Sequence, residues 1–135
     1  MAGLIKKNFP NCKIYFLGRS YTKDVIALSE YVDTFINYDE IEKLKPTNKV
    51  QALKQFQLDI FLHVFPKKEI AQLAKQAGIA IRVGTTNRIY HWLNCNNLIK
   101  LSRKNSELHE AQLNLKLVHF LNINTDIALS EISHL

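Results

Sequence analysis

Short apolar runs alternate with helical patterns along this chain, and that alternation limits its fold more than any other feature. Each run is as long as one strand, and the residues after it carry apolar side chains at the spacing of an amphipathic helix. Repeated strand–helix–strand units form right-handed crossovers, so the predicted fold is α/β, a parallel sheet with helices on both faces. Strands are predicted near residues 13–17, 33–37, 58–64 and 79–83, with a further short one near 98–101.

Helices are predicted between these strands and after the last of them. Pro46 separates two helical pieces, because proline is not tolerated inside a helix. Gly78 follows the next helix at the position where glycine commonly ends one. Periodicity fades after residue 121, so we expect one domain over 1–121 and a tail or interdomain connection over 122–135. The predicted helices cover 22–32, 39–44, 48–56, 67–76 and 107–121.

The composition is that of a folded, basic protein. Of the 135 residues 47% are apolar, which is enough for a buried core, and the longest apolar run, 60–65, is too short to cross a bilayer. Cys12 and Cys95 are expected to be free thiols in a reducing cytosol. No apolar leader follows Met1, so a cytoplasmic protein is predicted. The net charge of +6 favours anionic partners.

The sequence lacks the common catalytic and cofactor motifs. Its glycines stand alone, without the spacing of a dinucleotide-binding or phosphate-binding loop. His109 and Glu110 begin like a zinc-binding helix, but the position that requires a second histidine is Leu113. No nucleophile elbow is present either. We therefore expect no metal, no cofactor and no catalytic residue in this chain.

Basic residues follow the predicted strands, and they form the candidate site. The carboxyl ends of parallel strands meet at one sheet edge, where α/β proteins bind their ligands. Arginine holds phosphate or carboxylate through two parallel hydrogen bonds. Ordinary turn chemistry is the alternative for each loop taken alone. The predicted acceptor- or anion-binding residues are Arg19, Lys67, Lys68, Arg82, Arg88, Arg103 and His109.

Several other polar and aromatic residues receive a structural interpretation. His63 lies inside an apolar strand and is interpreted as a core histidine. Trp92 belongs to a basic and aromatic segment typical of sugar-binding and nucleic-acid-binding surfaces. It is nevertheless predicted to be buried, with Ile89 and Leu93, on one helix face. Ser106 is predicted to cap the last helix.

Six short landmarks follow one another across nearly the full chain. They are Phe9-Pro10, Tyr31-Val32-Asp33, Leu58-Asp59-Ile60, the stretch 74–79, Arg82-Val83-Gly84 and His109-Glu110-Ala111-Gln112. Each landmark is modestly specific, and their order and spacing carry the comparison. Together they resemble the N-terminal domain of the lipopolysaccharide heptosyltransferases, which are glycosyltransferase family nine.

That resemblance implies a glycosyltransferase of the GT-B type, with this chain as its Rossmann-like N-terminal half. In that family the N-terminal domain faces the anionic lipid A–core acceptor, and the other domain binds the nucleotide-sugar donor, typically ADP-heptose. Transfer inverts the anomeric centre and needs no essential metal. The acceptor carries phosphates and carboxylates, which matches the cationic loops. The implied location is the cytoplasmic face of the inner membrane, with the protein peripheral to it.

The chain departs from the family pattern in two respects. The opening strand with its Gly-Asp loop, which bears the presumed catalytic region, is missing, and so is the donor domain. The resemblance therefore assigns no catalytic residue here and implies that this fragment alone transfers no sugar. A missing first strand leaves open sheet edges near 13–17 and 58–64. These edges either pair directly or join two chains, and we expect a homodimer.

Two other functions stay open on the residues alone. A stand-alone basic α/β module that binds nucleic acid or a nucleotide also explains the net charge and the segment 88–92. A degenerate remnant without activity explains the missing parts. Salt-dependent binding to RNA and DNA, without preference for a phosphorylated oligosaccharide, would favour the nucleic-acid module.

Overall fold

In the computed structural model the chain forms two compact units, and each is described by itself. The structure describes residues 1–101 and 108–132. The first unit covers Met1–Lys45 and the second covers Pro46–Ile132, so the boundary lies inside the stretch predicted as one domain. Both units contain parallel strands connected through helices, and the predicted α/β class is confirmed.

The first unit contains a two-stranded parallel sheet. Strand β1 (Tyr15–Gly18) pairs with β2 (Thr34–Asn37), and Leu17 lies opposite Ile36. Parallel strands need a crossover between them, and here a short 3-10 turn and one helix supply it. The helices of this unit are α1 (Ala2–Asn8), α2 (Lys23–Ala27) and α3 (Tyr38–Glu42).

The second unit contains a three-stranded parallel sheet, in the order β3 (Ile60–Leu62), β4 (Ile81–Thr85) and β5 (Asn97–Ile99). The register places Ile60 opposite Ile81. The middle strand is the most enclosed, as expected of a strand with neighbours on both sides, and Val83 has no exposed surface.

Helices flank this second sheet in the sequence. They are α4 (Pro46–Lys54), α5 (Lys68–Gln76), α6 (Ile89–Asn94), α7 (Glu110–Leu115) and α8 (Leu129–Ile132). Helix α5 ends as predicted, because Gly78 adopts a φ of 74°, a conformation that glycine reaches without a steric penalty. A 3-10 segment, Lys116–Leu121, continues directly from α7. Its Leu117 and Val118 are buried and contribute to the core of the unit.

The structure differs from the sequence prediction in the number of sheets and in the last helix. The predicted strands are found with their ends shifted by a few residues, but they form two sheets instead of one. Strands β1 and β3 are both edge strands, and the homodimer stays a prediction. The helix predicted over 107–121 begins at Glu110 and tightens into the 3-10 form, which is common at the end of a helix. Residue 107 lies outside the described residues.

Candidate functional site

A small cavity lies in the second unit, at the carboxyl edge of the three-stranded sheet. Its volume is about 90 Å³. This is room for a few water molecules or for one polar substituent of a larger ligand. It is lined by residues at or after the ends of β3, β4 and β5, by one residue of α7 and by one residue of the 3-10 segment that follows α7: His63, Val64, Pro66, Thr85, Asn87, Arg88, Leu101, Asn114 and Leu117.

Backbone hydrogen bonds beyond the strand ends hold these loops side by side. The N–H of His63 donates to the carbonyl of Val83 at 2.9 Å, and the N–H of Thr86 donates to the carbonyl of Ile99 at 3.1 Å. Backbone pairing between neighbouring strands therefore extends one residue beyond β3 and β4, to His63 and Thr86, where the loops begin. Loops at the carboxyl edge of a parallel sheet are the usual place for a ligand.

His63 is buried, and its ring has no hydrogen-bond partner in the described part of the chain. The residue is 2% exposed, and neither Nδ1 nor Nε2 is bonded. Burial lowers the pKa of His63 to about 4, and the charges of His91 and Arg82 act in the same direction. The ring is therefore neutral at pH 7 and offers one donor and one acceptor at the cavity.

His91 lies beneath the same edge and is completely buried. Its Nδ1 lies 2.9 Å from the backbone nitrogen and 3.2 Å from the carbonyl oxygen of Thr85, so it accepts a hydrogen bond from that N–H in one tautomer and donates to that carbonyl in the other. Burial lowers the pKa of His91, and the contact with the backbone of Thr85 opposes that effect. Gly84 makes this packing possible, since a Cβ at that position would lie 2.7 Å from the ring of His91.

Uncharged polar side chains complete the lining. The side chain of Asn87 donates to the carbonyl of Leu101 at 2.5 Å and so joins the loop after β4 to the chain after β5. Asn114 of α7 brings an amide to the cavity, and Thr85 brings a hydroxyl. Amides and hydroxyls both donate and accept hydrogen bonds, as sugar hydroxyls do. The lining therefore suits a polar, hydroxylated group.

Arg88 supplies the positive charge of the cavity. It is exposed and occupies the N-cap position of α6. The ion pairs found among the described residues do not involve it. Lys67 and Lys68 follow Pro66, another residue of the lining, and so lie at the same edge of the sheet as Arg88. An arginine beside neutral polar groups can hold one phosphate or carboxylate.

Arg82 is engaged at the opposite edge of this sheet. Its Nε donates to the carbonyl of Asn94 at 2.7 Å, and its Nη1 donates to the carbonyl of Ile79. Both carbonyls precede a strand, so the guanidinium connects the amino ends of β4 and β5. These contacts join backbone segments, and the anion-binding role that the sequence predicts for Arg82 stays a prediction.

Arg19 follows β1 in the first unit and is engaged in a network of charges. It forms ion pairs with Asp39, at 2.6 Å, and with Glu42. Its guanidinium also lies over the ring of Tyr38, 4.9 Å from the centroid. The N–H of Ser20 donates to Asp39, and this bond together with the Arg19 pair lowers the pKa of Asp39. Arg19 is therefore compensated locally, and its predicted role in anion binding stays a prediction.

His109 acts as a helix cap. Its Nδ1 accepts a hydrogen bond from the N–H of Ala111 at 3.2 Å, and the side chain of Gln112 accepts one from the N–H of His109 at 3.0 Å. This reciprocal arrangement satisfies two N–H groups at the start of α7. Two further sequence predictions, Arg103 as an anion-binding residue and Ser106 as the helix cap, lie outside the described residues.

The buried face predicted for α6 is wrong. Ile89 is 83% exposed, Leu93 is 68% exposed and Trp92 is 61% exposed. The helix instead buries His91 and Asn94. It turns this way because the ring of His91 fills the space left by Gly84.

Cys95 is not activated as a nucleophile, and the described residues contain no large group of metal-ligating side chains. Cys95 is buried, and burial raises the pKa of its thiol to about 11, so the nucleophilic thiolate is disfavoured. No group of three or more metal-ligating side chains occurs within 1–101 and 108–132.

Comparison with protein-family models, with curated proteins and with solved structures finds no match to this chain. None of the helices in the described ranges combines the length and the apolar character that a membrane span requires. The resemblance to the heptosyltransferases therefore enters the proposal below on the sequence landmarks alone.

Sequence reasoning missed most of the cavity lining. The available signal for His63 was its position, because a polar residue at the carboxyl end of an apolar strand faces the ligand edge of a parallel sheet. Asn87 directly precedes Arg88, a predicted anion-binding residue, but Asn114 lies on a helix with no signal in the sequence. Only the packing of α7 against this edge brings Asn114 to the cavity.

Proposed function

We propose that this chain is the acceptor-side part of an inverting glycosyltransferase that adds heptose or a related sugar to the lipopolysaccharide core. In this proposal the chain is the N-terminal, Rossmann-like half of a GT-B enzyme, and another domain binds the nucleotide sugar. The protein is peripheral to the inner membrane, at its cytoplasmic face. The chain by itself binds acceptor and does not transfer sugar.

The composition of the cavity lining is the observation that carries this proposal. One guanidinium, that of Arg88, adjoins a neutral buried imidazole and the amides of Asn87 and Asn114. A site for bare phosphate would gain from a second charge at the position of His63, but burial keeps that ring neutral. A single cation among groups that both donate and accept suits a sugar with one acidic substituent.

Three of the lining residues have a role in this proposal. Arg88 holds the phosphate or carboxylate of the acceptor sugar. His63 and Asn114 hydrogen-bond to the one substituent that enters the cavity. The volume of about 90 Å³ holds one substituent, so the rest of the acceptor lies outside the cavity, near Lys67 and Lys68.

Binding of single-stranded nucleic acid is the second candidate function. Trp92 is 61% exposed and lies four residues after exposed Arg88. Exposed aromatic rings beside cations form the stacking surfaces of such proteins. The uncharged polar groups that line the cavity have no part in nucleic-acid binding, so we rank that function second.

Calorimetric titration of the chain with soluble ligands tests the proposal. The ligands are a phosphorylated core oligosaccharide freed of lipid, the same oligosaccharide after phosphatase treatment, and a single-stranded RNA. We expect binding to the first and at least about tenfold weaker binding to the second, since a charged hydrogen bond contributes about 1.5–3 kcal/mol. Tightest binding to RNA, with a steep salt dependence, would support the second function instead. No binding to either oligosaccharide would overturn the proposal.

A further inference from the structure

Two segments at the carboxyl edge of the three-stranded sheet expose large apolar side chains. Phe65, in the loop after β3, is 76% exposed. On α6, Ile89 is 83% exposed and Leu93 is 68% exposed. Trp92 and Leu93 follow Ile89 by three and four positions, so all three residues lie on one face of the helix. Grouped exposed apolar residues mark an interaction surface.

Cations outnumber acidic residues beside these apolar side chains. Lys68 follows Phe65 closely and Arg88 immediately precedes Ile89. Across 64–69 and 86–93 there are three cations, Lys67, Lys68 and Arg88, and one acidic residue, Glu69, which is exposed. We name this surface the basic apolar rim: Phe65, Lys68, Arg88, Ile89, Trp92 and Leu93.

The two segments of the rim adjoin one another. They leave the carboxyl ends of β3 and β4, which are hydrogen-bonded neighbours. Val64 and Pro66 of the first segment and Arg88 of the second line the same cavity. The two segments therefore begin beside one cavity, which Arg88 of the rim lines.

Trp92 is held in place while much of it stays exposed. Its indole N–H donates to the carbonyl of Thr86 at 3.0 Å, which fixes the ring against the loop after β4. At the other end of α6, Nζ of Lys75 donates to the carbonyl of Leu93 at 2.8 Å. An aromatic ring that has its one polar group satisfied and its apolar surface exposed is typical of side chains at the membrane–water interface.

We propose that the basic apolar rim docks on the surface of a bilayer that contains anionic phospholipid. Ile89, Trp92 and Leu93 enter the interface, and Arg88 and Lys68 contact headgroup phosphates. The surplus of cations across 64–69 and 86–93, three against Glu69 alone, selects this occupant, because it gives the surface a net charge opposite to that of the lipid. Each lysine or arginine near an anionic membrane surface strengthens binding by roughly fivefold.

Membrane docking rests on the proposed function, because a glycolipid acceptor is held in a membrane and the protein has to reach it there. Its test uses phospholipid vesicles without any sugar, whereas the acceptor titration uses soluble sugar without lipid. A chain that binds vesicles but no oligosaccharide would keep the docking surface and overturn the proposed function. A chain that binds the oligosaccharide but no vesicles would keep the proposed function and overturn the docking surface.

Vesicle binding of the full chain, followed by tryptophan fluorescence and co-sedimentation, tests the inference. Trp92 is the only tryptophan, so a blue shift of its emission reports entry into the bilayer directly. Vesicles of phosphatidylcholine alone are compared with vesicles that also contain phosphatidylglycerol. We expect a blue shift and sedimentation with the anionic vesicles and neither with the neutral ones.

Matched variants locate the surface. We expect Ile89→Ser combined with Leu93→Ser to weaken vesicle binding by at least about tenfold, because two apolar side chains lose their burial. Leu28→Ser is the control, since Leu28, which directly follows α2, is as exposed as Ile89, at 83%. Arg88→Gln combined with Lys68→Gln should abolish the preference for anionic lipid without altering the apolar face. The lipid preference of this double glutamine variant tests the docking surface even if the serine variants fail to fold.

Three results would overturn the inference. One is unchanged Trp92 emission with anionic vesicles. Another is equal loss of vesicle binding in the Leu28→Ser control. The third is a blue shift that appears on concentrating the protein without lipid, which would assign the rim to contact between copies of this chain.

Discussion

The imidazole rings of His63 and His91 lie 5.2 Å apart, centroid to centroid, and both residues are buried in the second unit. Three of their four nitrogens, all except Nδ1 of His91, have no hydrogen-bond partner among the described residues. Buried polar atoms without partners are costly, and native structures rarely keep them unless water or a ligand supplies the bond. The histidine pair therefore marks the edge of the sheet where we place the ligand.

We expect the stability of the second unit to fall as the pH is lowered from about 6.5 to about 4. Burial lowers the pKa of His63 from 6.5 to about 4, so within this window the unfolded chain binds a proton that the folded chain does not. The stability is complete above pH 6.5 and is lost progressively below it, by up to about 3 kcal/mol. Urea unfolding across this pH range measures the effect.

The contribution of His63 is isolated by comparing variants. We expect His63→Gln, which cannot titrate, to have a shallower decline in unfolding free energy than the natural chain. His119→Gln is the control, because His119 is exposed. Parallel pH profiles for the natural chain and His63→Gln would show that this histidine is not kept neutral by burial.

We expect Gly84→Ala to destabilise the protein through His91. The new Cβ would lie 2.7 Å from the ring of His91 and 2.8 Å from Sγ of Cys95, and overpacking of this kind typically costs about 1–3 kcal/mol. In a His91→Ala background the cost should shrink. Gly78→Ala is the control, because its cost arises from the positive φ and should be the same in both backgrounds. Equal costs of Gly84→Ala with and without His91 would contradict this account.

We expect Arg19→Gln to raise the pKa of Asp39 only part of the way to its ordinary value. The hydrogen bond from the N–H of Ser20 is the larger cause of the lowered pKa, and it remains after the guanidinium is removed. Carbon-detected NMR titration of the carboxyl groups measures the change. Lys6→Gln should move the pKa of its own partner, Asp33, and leave Asp39 unaffected. A fully restored Asp39 pKa in Arg19→Gln would assign the effect to the ion pair alone.

The strands were predictable because each is a local apolar run with a helical pattern after it. The stretch 79–83 already contains most of β4, and Gly78 ends α5 as its position predicts. The division into two sheets was not predictable in the same way, since sheet membership depends on pairing between distant strands. The orientation of α6 also escaped prediction. A six-residue helix is too short for periodicity to show which face is buried.

The candidate site was only partly predictable, because sequence identifies charges but not their partners. Arg19 and Arg88 each follow a strand and look alike in the sequence. Arg19 is compensated by Glu42, which lies 23 residues away, whereas Arg88 lines a cavity. His63 was interpreted as a satisfied core histidine because it lies in an apolar run. Whether a buried ring finds a partner depends on packing that a single sequence does not reveal.

NMR titration with the phosphorylated, lipid-free core oligosaccharide tests the central claim most directly, because it reports on the cavity residue by residue. We expect the ring nitrogens of His63 and the side-chain amide of Asn114 to shift on binding. Arg88→Gln should weaken the affinity by at least about tenfold, as expected for a lost charged hydrogen bond. Lys54→Gln, which removes an exposed cation that does not line the cavity, should leave it unchanged. Equal loss of affinity in both variants, with no shift at His63, would contradict the account.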